Sequence, residues 1–165
     1  MASLVVMGVS GCGKSSLGAV LAQRLALPFI EGDDFHGPAN RLKLGQGTPL
    51  SDADRAGWLD ALARELQHHP GGAVLSCSAL KRAYRERLRA AAPTLRFVYL
   101  ALTPQEAKRR VAARAAQHFV GPAIVAGQFA ALEPPAGEPG VLTLPATDPL
   151  PRLCEATLAW LMARG

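Results

Sequence analysis

A three-layer α/β domain built around a parallel sheet is the fold class this sequence predicts, on two observations. Short apolar runs with the length of buried strands alternate with segments whose apolar residues recur at helical spacing. Such alternation implies right-handed crossovers and a sheet covered on both faces. The second observation is a glycine-rich stretch, Gly8 to Ser15, lying directly between the first apolar run and the first helical pattern. With 165 residues the chain has room for one core, so residues 1–165 are read as a single domain.

Leu4-Val5-Val6-Met7 supplies the first strand. Gly8 to Ser15 fits G-x-x-x-x-G-K-[ST], in which glycines let successive N–H groups point inward at a polyphosphate. The following helix, marked by Leu17, Val20, Leu21 and Leu25, adds its partly positive N-terminus. Gly8, Ser10, Gly11, Cys12, Gly13, Lys14, Ser15 and Ser16 are therefore the expected nucleotide contacts. Lys14 would place its ammonium on the β and γ phosphates, and the Ser15 hydroxyl would take one position on Mg²⁺. ATP or GTP is the first ligand expected. A thiol at Cys12, beside a helix N-terminus, is either a small residue at a variable loop position or a group open to oxidation that blocks nucleotide.

Pro28-Phe29-Ile30 reads as the second strand, ending at Glu31-Gly32-Asp33-Asp34-Phe35-His36. Ligands of open parallel sheets collect beyond the carboxyl ends of strands, so this acidic cluster is expected to face the glycine loop. Residues 37–50, broken by glycine and proline, read as a short helix and a loop laid over the site. Ser51 or Asp52 then caps a helix whose buried face is Trp58, Leu59, Leu62 and Leu66, and which ends at Pro70-Gly71-Gly72.

The third strand is Ala73 to Cys77. Beyond it Lys81, Arg85 and Arg89 repeat every four residues on one helical face. Arg89 is read as solvated, while Lys81 and Arg85, opening a helix after a strand, are read as anion-binding. Leu95 to Leu100 forms the fourth strand, and Thr103-Pro104-Gln105-Glu106 opens a helix with a capping-box pattern. That helix carries Arg110 and Arg114, one turn apart, with His118 at the same spacing. Arginines so placed are either a solvated face or groups that offset charge on a transferring phosphate. A helix over Ile124 to Leu132, a fifth strand at Val141 to Leu144, and a last helix with Cys154, Leu158, Leu161 and Met162 inside complete the chain.

The formal net charge of +5 could suggest nucleic acid, but the basic residues are spread along helices and aromatics make up only 5%. Anionic small molecules explain the charge as well, and no nucleic acid is expected. No apolar run approaches the ~18 residues of a membrane span, so no membrane partner and a cytoplasmic location are expected. Three cysteines without a C-x-x-C fit a reducing compartment and neither a disulfide framework nor a zinc site.

Taken with the glycine loop, "GDDFH", "PAN" plus a lysine three residues on, "GTPLSDADR", Trp58-Leu59, "CSALKRAYRERLR" and "HF…QFAALEPP" stand in an order that resembles the gluconokinase family of small P-loop kinases, from Val5 to about Pro135. The resemblance implies a nucleoside-monophosphate-kinase-like P-loop fold with a five-stranded parallel sheet and a small mobile lid over approximately 114–128. It implies transfer of the ATP γ-phosphate to the 6-hydroxyl of D-gluconate, with Mg²⁺, and commonly a homodimer. Asp33, in the G-D-x-x-H motif, is then the leading candidate to accept or orient the acceptor's proton, with Asp34 its nearest competitor. Glu31 falls where similar kinases keep an acid near the metal.

His36, Arg55, Lys81 and Arg85 are candidates for gripping gluconate, with Arg85 preferred for its carboxylate because guanidinium binds carboxylate bidentately. Arg55 is equally open to a structural ion pair with a neighbouring aspartate. His118 joins the acceptor-binding set, and Arg110 and Arg114 the nucleotide-binding set. A shikimate-kinase-like or nucleoside-monophosphate kinase, and a nucleotide-dependent switch or RNA-binding module, are the alternatives.

Overall fold

The computed structural model describes residues 2–114 and 122–164. Five strands form one sheet: β1 (Leu4–Met7), β2 (Phe29–Glu31), β3 (Val74–Ser76), β4 (Arg96–Ala101) and β5 (Val141–Pro145). Their order across the sheet is β2-β3-β1-β4-β5, and every pairing is parallel. Among the described residues the strands are linked by α1 (Lys14–Leu25), α2 (Pro38–Gly45), α3 (Asp52–Gln67), α4 (Arg82–Ala91), α5 (Pro104–Arg114) and α6 (Pro122–Ala131), with α7 (Leu150–Arg164) last. The three-layer architecture expected from the sequence is the one observed.

Alternation along β1 divides the core in two. Leu4 and Val6 pack with Leu17, Leu21, Leu153 and Cys154 on the side of α1 and α7. Val5 and Met7 pack with Trp58, Leu62, Tyr84 and Leu88 on the side of α3 and α4. Successive strand side chains point to opposite faces, so a fully buried strand must be apolar throughout, as β1 is.

Element boundaries differ from expectation by a residue or two, for reasons of hydrogen bonding. Pro28 stands outside β2 because it lacks an N–H; it contributes its carbonyl, which accepts from Val74 N–H at 2.9 Å. Lys81 is the N-cap of α4 and not its first turn. Pro122 occupies the start of α6, two residues before the expected Ile124, where a missing N–H is harmless.

Helix α3 begins with a reciprocal cap. Asp54 N–H donates to Ser51 Oγ at 3.1 Å and Ser51 N–H donates back to Asp54 Oδ2 at 2.9 Å. Ser51 is thus the cap, and Asp52 is released for contacts with α4. All three cysteines are free and buried. No helix among the described residues is long and apolar enough to cross a membrane.

Candidate active site

The glycine loop between β1 and α1 is shaped so that only glycine serves at Gly8. Its φ is 145°, and a Cβ there would lie 2.7 Å from Cys12 Sγ and 2.9 Å from the Leu100 carbonyl oxygen. Gly13, also left-handed at φ 96°, is the N-cap of α1 and brings no side-chain cap. Leu17 N–H donates to Gly13 O, so the N–H groups of Lys14, Ser15 and Ser16 have no acceptor within the helix. An uncapped helix start directly after a glycine-rich loop fits an anion, and a polyphosphate in particular. Lys14 rests with its ammonium on Val9 O at 3.2 Å, while Ser15 and Ser16 are exposed. Cys12 is 1% exposed, which favours the reading of a small packed residue over that of a reactive thiol.

After β2 the chain turns through a short 3-10 segment, Gly32–Phe35. Two contacts from other elements hold that turn: Gly32 N–H donates to Ser76 Oγ at 3.3 Å, and Trp58 Nε1 donates to Gly32 O at 2.8 Å. A Cβ at Gly32 would lie 2.2 Å from Ser76 O, so glycine lets β2 pass this close to β3. Asp33 and Asp34 are both exposed on the turn. Only Asp33 lines the cavity described next.

That cavity has a volume of about 360 Å³ and lies beyond the carboxyl ends of the strands. Ser10 and Lys14 of the glycine loop line it together with Asp33 and His36 of the acidic turn. Arg41 of α2, Arg55 and Trp58 of α3, and Gln128 of α6 close the remaining sides. Lys14, Arg41 and Arg55 outnumber the single carboxylate of Asp33, an imbalance that favours anionic ligands.

His36 lies flat on Trp58, with ring centroids 4.5 Å apart and planes 15° from parallel. Burial is the main cause that pushes its pKa below the ordinary value; Asp33 opposes this, and Arg41 and Arg55 reinforce it. Arg55 is buried and donates through Nη1 to the Tyr84 hydroxyl at 3.2 Å. That hydroxyl bonds in turn to Asp52, which also accepts from Lys81 Nζ at 2.9 Å.

Several expected roles are corrected by these contacts. Arg85 does not reach the cavity: it is fully buried, its Nε and Nη2 clasp the Glu138 carboxylate at 2.9 and 2.6 Å, and the Ala79 and Glu133 carbonyls take its other donors. Fully buried and clasped by a carboxylate of its own chain, this guanidinium has no access to a ligand in the cavity. Lys81 is likewise held by Asp52 outside the cavity lining. Arg89, expected in solvent, donates to Glu138 at 3.0 Å and lies over the Phe97 ring. Arg55 pairs with neither neighbouring aspartate; it faces Tyr84 and the cavity.

Glu31 is half-buried, and its carboxylate accepts from the Ser76 hydroxyl. Arg110 donates to Gly11 O and Ala146 O, both at 2.9 Å, so it props the glycine loop from outside. Arg114 ends α5, and His118 lies outside the described residues, as do 115–121 of the expected lid.

Sequence reasoning missed Gln128 as a site residue. Its amide pairs with Ser10 at both ends: Ser10 N–H donates to Oε1 at 2.6 Å and Nε2 donates to Ser10 Oγ at 2.9 Å. One signal was available, a single polar side chain in the otherwise apolar run "PAIVAGQFAA". Arg41 and Trp58 were equally missed as cavity walls, the second because an aromatic at helical spacing reads as core.

Residues 4–135 match the model of an AAA-domain family. The gluconokinase of Gluconobacter oxydans is 46% identical over 143 residues, covering 84% of this chain and 79% of that protein. The crystal structure of a gluconokinase from Sinorhizobium meliloti superposes with a TM-score of 0.91 at 41% identity, covering 98% of this chain and 92% of the other. Shikimate kinase from Bacteroides thetaiotaomicron shares the fold, with a TM-score of 0.63 at 17% identity over 98% of each chain.

Proposed function

The chain belongs to the gluconokinase family, and on that premise we propose how its cavity performs phosphoryl transfer from ATP to the 6-hydroxyl of D-gluconate, giving 6-phospho-D-gluconate and ADP. The chain is an ATP-dependent kinase. The observation that carries the proposed mechanism is that Lys14 and Asp33, from two separate turns, line one cavity.

In this mechanism the amides of the glycine loop and of the α1 start hold the phosphates, and Lys14 neutralises charge that grows on the transferring group. Asp33 accepts or orients the proton of the acceptor hydroxyl as its oxygen bonds to phosphorus and the bond to the β-phosphate oxygen breaks. Phosphoryl transfer asks mainly for positioning and charge neutralisation, so one carboxylate suffices. Arg55 and Arg41 supply cations for the gluconate carboxylate, in place of the occupied Arg85, and His36 contacts a hydroxyl.

The Ser15 hydroxyl and the Glu31 carboxylate would hold Mg²⁺, which when bound would offset negative charge on the phosphates. Among the described residues no three His, Cys, Asp or Glu side chains cluster as a ready-made metal cage, and an ion carried largely by phosphate and water needs none. Arg110 steadies the loop, and Arg114 and His118 are assigned to a lid over 114–128. We assign the chain a single domain, a homodimeric state and a cytoplasmic location with no nucleic-acid partner. Light scattering of the purified chain tests the dimer.

ADP release measured across gluconate, shikimate and nucleoside monophosphates tests the acceptor. Turnover with gluconate should dominate, and a different acceptor turned over faster overturns the assignment.

A further inference from the structure

Asn40, buried in α2, makes two contacts with one atom. Its Nδ2 lies 2.8 Å from the backbone carbonyl of Asp54 and 3.1 Å from His36 Nδ1. A carbonyl oxygen can only accept, so the amide nitrogen, not the amide oxygen, must face Asp54. The orientation of the amide is thereby settled by chemistry. An NH₂ group has two hydrogens, one for each neighbour, and the second points at His36 Nδ1.

Nδ1 must therefore present its lone pair, which places the imidazole proton on Nε2 and excludes the doubly protonated ring. The surroundings agree with a neutral ring. Arg41 and Arg55 face it as cations, Lys14 lines the same cavity, and Asp33 is the single opposing carboxylate. The carboxylate of Asp54 is engaged by Lys43 and Ser51 instead. Trp58 covers one ring face without charge. Among the described residues nothing pairs with Nε2, and His36 lines the cavity.

We propose that Asn40 is a positioning residue that holds His36 as a neutral imidazole protonated on Nε2, so that His36 donates a hydrogen bond to a hydroxyl oxygen of the acceptor. The task is divided: guanidinium groups take the acceptor's negative charge, and His36 reads a neutral oxygen. This rests on the gluconate assignment only for the identity of that oxygen.

The test is nitrogen-resolved NMR of the imidazoles in the full chain, which has four histidines, with His36 identified by its loss in His36→Gln. At pH 7 wild-type His36 should be neutral with its proton on Nε2, and its protonation midpoint should lie below the ordinary ~6.5 of histidine. In Asn40→Asp a carboxylate replaces the donor, so the proton should move to Nδ1 and the midpoint should rise. The KM for gluconate in that variant should be about three- to tenfold higher at pH 8 with little change in kcat, as for loss of one hydrogen bond, and should fall on acidification as Nε2 regains a proton.

A wild-type proton on Nδ1, a charged ring at pH 7, or an unmoved tautomer in Asn40→Asp overturns the proposal. If Asn40→Asp does not fold, the wild-type tautomer decides alone. Failure of gluconate turnover with the Nε2 tautomer intact removes the acceptor assignment and leaves the role of Asn40 standing.

Discussion

Gln128 holds Ser10 by both ends of its amide, and in doing so occupies a backbone N–H of the loop built for phosphate. An internal amide oxygen thus holds one N–H of the loop, and a phosphate oxygen reaching for that N–H would have to compete with it. In Gln128→Ala the competitor is gone, so nucleotide should bind about three- to tenfold more tightly by calorimetry, the equivalent of one net hydrogen bond. Unchanged or weaker binding would show that Gln128 is no competitor.

Asp33 lines the cavity and Asp34 does not, although both are exposed on the same turn. Asp33→Asn should lower kcat by about a hundredfold or more while nucleotide binding is retained, within the range general-base residues contribute. Asp34→Asn should leave kcat within about threefold. Lys14→Ala should abolish transfer, since Lys14 is the only ammonium in the glycine loop. A larger loss in Asp34→Asn than in Asp33→Asn would reassign the base.

Glu138 serves Arg85 and Arg89 together, and with Glu133 it ties the segment after α6 to α4. Replacing it strands a fully buried guanidinium. Glu138→Gln should cost about 3 kcal/mol or more in urea unfolding. Arg85→Lys should fail to restore wild-type stability, because an ammonium cannot reproduce the bidentate clasp and both carbonyl contacts. Kinetics at a temperature where the variant stays folded should show little change in the KM for gluconate; a large rise would return Arg85 to the acceptor site.

Asp54 should give the protein part of its acid sensitivity. Lys43, with the Ser51 cap, lowers its pKa from 3.8 to about 2. A carboxyl held below its unfolded value favours the folded state above that unfolded value, and this contribution fades as pH falls toward the folded one. The melting temperature should therefore drop between about pH 4 and pH 2, and Asp54→Asn should flatten this part of the curve while lowering stability at pH 7. An unchanged acid limb in the variant would assign the loss to other carboxylates.

The amino-acid sequence alone determined what neighbours along the chain decide among themselves. The phosphate loop is eight consecutive residues whose chemistry is local, the buried strands announce themselves as short unbroken apolar runs and the helices by a period of 3.6 residues, so the parallel three-layer sheet was legible. The helical face carrying Lys81, Arg85 and Arg89 was equally legible, but not what that face would meet. Arg85 finds its carboxylate 53 residues away and Gln128 finds Ser10 at a separation of 118, partnerships that exist only once the chain has folded back on itself. Periodicity fixes the direction of a side chain about its own element; only tertiary packing decides whether a guanidinium meets a ligand or a glutamate of its own chain, because the partner able to satisfy the charge most closely is the one the fold brings there.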